Sequence, residues 1–598
     1  MKLTPHPINA GICLLSILSF GAATAREAVV LDMAAFGAKA DGSDTTPGLR
    51  AALEKVRSGQ ATKLIFPPGR YDFYPERASE QYLFVSNNDE GLKRIAFPLT
   101  DIEGLEIDGG GSTFVFHGYT VPFLIEESSG ITLRNFSVDF SRPFHSEGKV
   151  LAITPDHVDL EISEEYPHEI RNGVLVFTNG HKASGPATTV SSGEVLYPYG
   201  SLLAFDPVKR ETAFMAKDRY EVGQGIVAEK LGPDQVRIRI TDISAKVGDV
   251  LVFSPKNRDV PGIVISDSSG VHLTDITLHH CGGMGVIAQR SADIFVKKMR
   301  VTPPAGGKRI VSTTADATHF VNCKGRIELV DCLFEQQKDD ATNVHGLYAK
   351  ITHIFSPTRF EVTLIHPQQS GIDFIKAGTR LELNDGPSLR EEGFATVKSV
   401  ERINKQKTIV EIEGALPESV TLGDSVADAD ANTAAVLIRN CVMRGNRARG
   451  ILLGSRGPMV VEGNTFHIPG AAILFEGDSR FWFEQAGVRD VVIRGNTFDN
   501  CNYGVWGTGC IQVGSGIADE FKSVSRYNRN IRIENNLFRA FSPLPLLSIY
   551  SVDGLTFTGN RLERTKTYPA PDAGEWKMFK ITDSDNVKVE EPATLSNN

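Results

Sequence analysis

The chain of 598 residues carries a formal net charge of −10 and has a sequence pI near 5.8. Nucleic-acid binding requires a basic surface, so this balance argues against it and favours a neutral partner or none. With 23% charged and 41% hydrophobic residues, the composition is that of an ordinary globular protein.

The first 25 residues have the pattern of a secretory signal peptide. Lys2 gives a weakly positive start, residues 8–20 are apolar, and the small residues Ala23-Thr24-Ala25 predict cleavage after Ala25. The apolar run is too short for a membrane anchor, and no later segment is long and apolar enough to cross a bilayer. We therefore predict a secreted or periplasmic protein with no membrane span.

The mature chain opens with the features of a solenoid cap. Thr46 can cap a short helix, Pro47 suits its first turn, and Leu49 and Val56 share one face. A short strand that ends in a Pro-Gly turn follows at residues 64–71. A solenoid requires such a cap because its first coil would otherwise expose an apolar end.

A short unit then recurs, in which alternating apolar residues precede Asn or a small residue and then an aromatic or aliphatic one. It is found at 130–138, 271–278, 327–334, 436–443, 460–466, 491–498, 531–538 and 555–562. Alternation buries one face of a strand, and stacked Asn side chains predict a hydrogen-bonded ladder. A β-sandwich is the alternative, but a phrase repeated this often indicates one structural unit used many times. We predict an all-β fold, a right-handed parallel β-helix.

Two stretches, 148–253 and 347–428, alternate cleanly but lack the Asn phrase, which predicts two small antiparallel β-barrel insertions between coils. The segments predicted in chain order are a signal peptide 1–25, a cap with the first coils 26–147, the first barrel 148–253, coils 254–346 with the catalytic residues, the second barrel 347–428, C-terminal coils 429–592 and a tail 593–598. The tail is polar, and we expect it to be disordered.

Three aspartates carry the predicted chemistry. Asp316 precedes Asp339 and Asp340 by 23 and 24 residues, about the length of one coil. Because coils stack about 4.8 Å apart, the carboxyl groups should lie roughly 5–10 Å from one another, a range that includes both retaining and inverting glycosidases. Hydrolysis needs one protonated and one ionised carboxyl group, and crowded acids raise one another's pKa. The structural alternative for the adjacent pair is a solvated turn.

Further polar and aromatic residues in nearby phrases are candidate substrate ligands: Arg290, His319, Asn343, His345, Glu476, Asp478, Trp482 and Glu484. An aromatic ring such as Trp482 can stack on the apolar face of a sugar, although it could equally be a buried core residue. Arg290 could instead be a structural ion-pair partner. The cysteines form no C-x-x-C pair, and neither a metal nor a cofactor is predicted.

The Asp316 segment and the phrase Lys338-Asp339-Asp340-Ala341-Thr342-Asn343-Val344-His345-Gly346 resemble glycoside hydrolase family 110, the exo-acting α-1,3-galactosidases. The likeness extends over most of the mature chain. The resemblance implies a β-helix with inserted barrels, an inverting mechanism that uses aspartates, and a homodimer. It also implies a glycan substrate with a terminal α-galactose, either blood-group B or linear. We expect Asp316 to be the general acid and Asp339 or Asp340 the base.

Other readings of the sequence stay open. A looser likeness to inverting polygalacturonases exists, but the expected Arg-Ile-Lys phrase is missing. A polysaccharide lyase or epimerase would need a base beside a carboxylate neutraliser such as Ca²⁺, which clustered aspartates could bind. A non-catalytic adhesin predicts no convergent carboxylates.

Overall fold

The computed structural model describes residues 29–180, 193–220, 222, 225–570 and 576–595. The predicted signal peptide 1–25 lies outside the described residues. None of the helices in these ranges combines the length and the hydropathy that a membrane-spanning helix needs.

The cap contains the predicted amphipathic helix, Thr46–Arg57, which buries Leu49, Ala52, Leu53 and Val56 on one face. Thr46 is the first helical residue rather than the cap, and Thr45 stands at the N-cap without a side-chain hydrogen bond. The Asp44 carboxylate accepts from the Thr46 N–H at 3.0 Å and satisfies the free donor instead. Short 3₁₀ helices are found at Met33–Phe36, Pro75–Arg77, Pro367–Gln369 and Asp519–Phe521.

Parallel strands wind into a right-handed β-helix with three faces, which we name A, B and C. Most coils pass through face A, then face B, then face C, before the next coil begins again on face A. Faces A and B form one 22-stranded sheet, because three long strands, Glu103–Phe116, Ser129–Phe140 and Ser269–Leu278, run around the corner between them. The other strands of face A are Val30–Asp32, Lys63–Ile65, Ala292–Lys297, Lys324–Val330, Ala435–Arg439, Met459–Glu462, Val491–Arg494, Asn528–Glu534, Val552–Thr558 and Asp585–Val589. The other strands of face B are Arg70–Phe73, Arg300–Val301, Leu333–Glu335, Val442–Arg444, Thr465–His467, Thr497–Asp499, Leu537–Ala540, Arg561–Arg564 and Ala593–Leu595.

Face C is a separate sheet of 13 strands. Eleven of them run parallel along the helix, while Ser79–Leu83 and Glu484–Gln485 pair antiparallel at its margins. The parallel strands are Gly91–Thr100, Thr120–Glu126, Ile263–Ser266, Val286–Gln289, Thr318–Val321, Thr342–Leu347, Ile451–Leu453, Ile473–Phe475, Ile511–Val513, Leu547–Tyr550 and Phe579–Thr582.

The predicted Asn ladder is confirmed in the C-terminal coils. The buried side chains of Asn464, Asn496, Asn536 and Asn560 stack, and each Nδ2 donates to the next Oδ1 at 2.9–3.0 Å. In the Gly-Asn-Thr-Phe units the glycine turns the chain with a positive φ, as at Gly495 with φ 62°, and the Asn points into the core. The phrase therefore encodes a left-handed corner followed by an inward hydrogen-bonding side chain.

The aromatic residues that end three units also stack inside the helix, since Phe466, Phe498 and Phe538 have successive ring centroids 5.2 and 4.8 Å apart. The last unit ends with Leu562, and Phe557 from its face A strand extends the stack, with its ring centroid 5.6 Å from that of Phe538. Cys332 and Cys441 fill the equivalent small positions in earlier coils, and the Cys441 N–H donates to Asn464 Oδ1 at 2.8 Å. All six cysteines of the described residues are free thiols.

Two insertions interrupt the coils. The first is an eight-stranded antiparallel sheet of Ser146–Ile153, Val158–Ile162, Tyr199–Asp206, Glu211–Thr212, Arg219–Tyr220, Ala228–Lys230, Gln235–Ile238 and Val250–Pro255, with a hairpin of His168–Arg171 and Val174–Phe177. The second is a closed antiparallel barrel of Ala349–Ser356, Arg359–Thr363, Arg380–Asn384, Glu391–Arg402, Lys407–Glu413 and Ser425–Asp428.

The start of the expected tail, 593–598, is ordered structure rather than a disordered segment. Residues Ala593–Leu595 form the last strand of face B and pair in parallel with Arg561–Glu563. The prediction of disorder there was wrong because the free edge of the last coil offers unpaired backbone groups, which bind even a polar segment.

Candidate active site

The predicted aspartates lie where the chain passes from face B to face C on two adjacent coils. Thr318 pairs with Thr342 across face C, and Asp316 and Asp340 each stand two residues before these threonines. One carboxylate oxygen from each of Asp316, Asp339 and Asp340 lies within 4.8 Å of the other two. The three side chains are buried, so the coil spacing concentrates acidic groups in a region with little water.

Three arginines surround the adjacent pair. Arg258 Nη2 donates to Asp339 Oδ2 at 2.7 Å, and Arg447 Nη1 donates to Asp339 Oδ1 at 2.8 Å. Arg449 binds Asp340 through Nε and Nη2, at 3.0 and 2.8 Å. Acidic clusters can also surround a cation, but here guanidinium groups provide the positive charge for both aspartates.

The aspartates have different proton affinities. Burial, and next the charge of Asp339, raise the pKa of Asp316 to about 8. Burial raises the pKa of Asp340 to about 7, although Arg449 opposes it. Burial acts in the same direction on Asp339, but Arg447 and Arg258 outweigh it, and its pKa is lowered. At neutral pH the cluster therefore holds an acid that can donate a proton beside a carboxylate that can accept one.

A chain of hydrogen bonds leads away from Asp316 into the protein. Asp316 Oδ2 lies 2.7 Å from His319 Nδ1, and His319 Nε2 lies 2.8 Å from His345 Nε2. His345 Nδ1 donates to the Gly346 carbonyl at 2.7 Å. Both rings are buried, and burial lowers the pKa of His319 to about 4 and also lowers that of His345, so both imidazoles are neutral.

Glu484 also lines the pocket. Its Oε1 accepts from Asn87 Nδ2 at 2.9 Å, and its Oε2 accepts from Asn343 Nδ2 at 3.4 Å. Burial would raise its pKa, but His345 and His319 and the two amides outweigh that effect and lower it. Glu484 is therefore an ionised hydrogen-bond acceptor that faces the aspartate cluster.

Residues 476–484 form a loop that covers the pocket. Trp482 lies in the pocket wall with its ring centroid 4.8 Å from that of His366, a residue of the second insertion. Burial raises the pKa of Glu476 to about 7, and the Arg449 guanidinium 3.8 Å away opposes the rise. The site thus combines an aromatic surface with acceptors of hydroxyl hydrogen bonds, which suits a sugar.

A second cavity, of about 370 Å³, adjoins the cluster at Asp339. The first insertion supplies part of its wall through Asp218 and Tyr220, which bind Arg447 Nε and Nη2 at 2.9 and 2.7 Å. The insertion therefore contacts a later coil and helps to hold the guanidinium group that faces Asp339.

Comparison with known proteins decides the family. Residues 146–251 and 359–426 match the families described as GLAA-B beta-barrel domain I and GLAA-B beta-barrel domain II, and residues 424–592 match a right handed beta helix region. The chain is 36% identical over 559 residues to alpha-1,3-galactosidase A of Shewanella woodyi, covering 93% of this chain and 89% of that protein. The chain belongs to glycoside hydrolase family 110.

Another family 110 relative, alpha-1,3-galactosidase B of Bacteroides thetaiotaomicron, is 31% identical, with 93% of this chain and 89% of that protein covered. Among solved structures, the A-module of the mannuronan C-5 epimerase AlgE6 of Azotobacter vinelandii matches with a TM-score of 0.37 and 10% identity, covering 95% of this chain and all of that one.

In this family 110 chain, most of the residues predicted from the sequence line one pocket: Asp316, His319, Asp339, Asp340, Asn343, Glu476, Trp482 and Glu484. His345 lies behind His319 and is not part of the pocket lining. Asp478 accepts backbone hydrogen bonds from residues 480–482, so it shapes the covering loop. Arg290 does not reach the pocket, because its guanidinium pairs with Asp267 at 2.5 Å on the adjoining coil.

Sequence reasoning missed Arg258, Arg447, Arg449 and Asn87. The repeat spacing contained a signal for Arg447 and Arg449. Cys332 and Cys441 occupy equivalent repeat positions and lie 109 residues apart in the sequence. The same offset aligns Asp340 with Arg449 on the next coil, where Thr342 pairs with Ile451. Asn87 and Arg258 carry no such signal, since they come from irregular segments outside the repeat.

Proposed function

We propose that this protein is an exo-acting glycoside hydrolase that releases terminal α-1,3-linked galactose from glycans. The observation that carries the proposal is the cluster of Asp316, Asp339 and Asp340, whose pKa values are shifted in opposite directions within one pocket. The relatives named alpha-1,3-galactosidase A and alpha-1,3-galactosidase B support the choice of sugar and linkage.

In the proposed mechanism Asp316 is the general acid. It holds a proton at neutral pH and transfers it to the glycosidic oxygen as the bond from that oxygen to the anomeric carbon breaks. Asp339 or Asp340 accepts a proton from the attacking water. Arg258 and Arg447 keep Asp339 ionised, which favours it as the base, while Asp340 lies closer to Asp316 in the coil register.

We further propose that the reaction inverts the anomeric configuration. Both oxygens of Asp339 and both oxygens of Asp340 already accept hydrogen bonds from guanidinium groups. These contacts hold both carboxylates in place, where either can accept a hydrogen bond from water. The nearest oxygens lie within 4.8 Å, which is shorter than the roughly 6.5–9.5 Å between carboxyl groups in typical inverting enzymes. Product stereochemistry therefore tests this part of the proposal directly.

The terminal galactose would occupy the pocket lined by Trp482, Glu476 and Glu484. The rest of the glycan would extend into the cavity of about 370 Å³ beside Asp339. A cavity of this size has room for the second sugar, and its shape would decide between a fucose-branched blood-group B structure and linear galactose-α-1,3-galactose.

Hydrolysis of a panel of compounds tests the function. The panel contains an aryl α-galactoside, galactose-α-1,3-galactose, the branched blood-group B trisaccharide, and polygalacturonate. We expect release of galactose from the first three and no change with the polyuronate. A rise in absorbance from unsaturated uronate, with no galactose released, would instead establish a lyase, and shortened uronate chains would establish a polygalacturonase.

We also propose that residues 1–25 direct export and that the mature protein is a homodimer. The composition of this segment supports the first proposal, and the family resemblance supports the second. N-terminal sequencing of the exported protein tests cleavage after Ala25, and light scattering tests the oligomeric state.

A further inference from the structure

The Gly346 carbonyl fixes one end of the hydrogen-bond chain that ends at Asp316. A carbonyl oxygen can only accept, so His345 Nδ1, 2.7 Å away, carries a hydrogen. Residues Gly346–Leu347 pair with Glu484–Gln485, and a Cβ on Gly346 would lie 2.5 Å from Gln485 Oε1. A side chain at this position would therefore have to displace Gln485 Oε1, and the close strand pairing holds the carbonyl beside the imidazole.

The hydrogen on His345 Nδ1 determines which atom donates and which accepts in each further hydrogen bond between neutral rings. A neutral His345 with hydrogen on Nδ1 has a lone pair on Nε2, which lies 2.8 Å from His319 Nε2. His319 must donate there, so a neutral His319 has its lone pair on Nδ1. That atom lies 2.7 Å from Asp316 Oδ2, and only a protonated carboxyl group can donate to it.

We infer that His345 is a positioning residue that keeps Asp316 protonated, because it fixes which nitrogen of His319 carries the hydrogen. The inference rests on the proposed role of Asp316 as the general acid. His345 does not line the pocket, and it acts on the reaction only through His319 and Asp316. The two buried histidines thus keep the Asp316 carboxyl group protonated before each turnover.

A second arrangement of hydrogens would have the opposite effect. If His345 carried hydrogens on both nitrogens, Nε2 would donate toward His319, and His319 Nδ1 would donate to an ionised Asp316. Glu484 Oε1, 3.4 Å from His345 Nε2, would stabilise that charged ring. The shorter contact of Nε2 is the one to His319, and Glu484 Oε1 already accepts from Asn87 at 2.9 Å.

The charges that face this chain come from several segments. Those that act on Asp316 or on the two rings are Arg258, Asp339, Asp340, Arg449 and Glu484. Positive and negative groups are both present, so their charges alone do not decide the protonation state of Asp316. When both rings are neutral, the direction of the hydrogen bonds imposed by Gly346 leaves Asp316 protonated.

Selective ¹⁵N labelling of histidine tests the hydrogen positions without an activity measurement. In the wild-type enzyme at pH 7 we expect His345 to be neutral with hydrogen on Nδ1 and His319 to be neutral with hydrogen on Nε2. His319→Gln and His345→Gln assign the two signals. A hydrogen on His319 Nδ1, or a doubly protonated ring at either position, would overturn the inference. This result is independent of whether the protein cleaves galactosides.

A pH profile of kcat/KM tests the effect on the acid. His345→Gln keeps an acceptor near the Nε2 position, whereas His345→Leu removes it. We expect the alkaline limb of His345→Leu to move to lower pH by about one unit, which is a loss of about fivefold at pH 8 that approaches about tenfold at higher pH, and His345→Gln to restore most of it.

A leaving-group comparison separates this effect from a general loss of structure. A dinitrophenyl α-galactoside needs little help from an acid, so His345→Leu should lose far less activity on it than on galactose-α-1,3-galactose. His280 is a matched control, since it is also buried and bound to a backbone carbonyl, that of Ser312, at 2.6 Å. His280→Gln should leave the alkaline limb unmoved. An equal loss on both substrates with an unshifted pH profile would show that His345 is merely structural.

Discussion

Asp316 and Asp340 are equivalent residues of adjacent coils, yet they face different partners. Asp340 binds the Arg449 guanidinium through both oxygens, whereas Asp316 lies against the neutral imidazole of His319. A stacked pair of ionised carboxylates would repel strongly in a buried site. The different partners allow one of the two to keep its proton, and this asymmetry is what acid–base chemistry requires.

Asp316→Asn should abolish most of the activity and leave the fold intact. General acid catalysis contributes roughly 10²–10⁴-fold, so we expect a loss of that size in kcat on a natural disaccharide. The asparagine amide can donate to His319 Nδ1 as the protonated carboxyl group does, so the melting temperature should not fall. A large drop in melting temperature would show a structural role for Asp316.

Asp339→Asn should reduce both activity and stability. The substitution leaves Arg258 without its carboxylate partner and Arg447 with Asp218 alone, and removal of one partner of a buried ion pair costs about 3 kcal/mol. Urea unfolding measures the change in the free energy of unfolding. Asp430→Asn is the control, because its pair with Arg380 is 45% and 64% exposed and should contribute less than about 1 kcal/mol.

Activity should fall as the pH rises through about 8, where Asp316 loses its proton. The same shift affects stability. Native Asp316 holds a proton at pH values where the unfolded chain, with a pKa of 3.8, has lost it, so this contribution is full below pH 3.8 and is lost as the pH rises to about 8. Asp316→Asn should remove this part of the pH dependence, and an unchanged profile in unfolding experiments would contradict the assignment.

The first sugar released should be β-galactose. Proton NMR during the first minutes of hydrolysis distinguishes the anomers before mutarotation mixes them. Initial α-galactose would show retention of configuration, with an aspartate acting as nucleophile, in keeping with the short distances in the cluster.

Asn496→Ala should destabilise the C-terminal coils without a direct effect on the pocket. The side chain bonds Asn464, Asn536 and the Val461 carbonyl, and its removal leaves buried groups without partners. We expect a loss of about 1–3 kcal/mol in the free energy of unfolding. Arg532→Ala, an exposed substitution in the same face, should change it by less than about 0.5 kcal/mol.

The β-helix was predictable because every coil has the same packing and hydrogen-bonding requirements. Inward residues such as Asn496 and Phe498 must match those above and below them, so the pattern recurs in the sequence. The aspartates were found because their spacing of 23 and 24 residues equals one such coil. Arg290 lies outside the pocket lining because position along a coil does not fix where a long side chain points, and Asp267 binds its guanidinium.

The partners of the aspartates were harder to predict. Arg258 and Asn87 reach the pocket from loops whose course depends on the packing of the first insertion and the cap. Their sequence neighbourhoods show no period, and only the folded arrangement brings Arg258 to Asp339 and Asn87 to Glu484.

The second barrel separates Asp339 from Arg447 by 108 residues of chain. During synthesis Arg258 emerges before the two adjacent aspartates, but Arg447 and Arg449 emerge only well after them. The pocket can close only after the whole barrel has left the ribosome and the following coil has docked on face C. A chain that ends within the barrel would carry Asp340 without its Arg449 partner at an open edge, which makes completion of the active site a late event in folding.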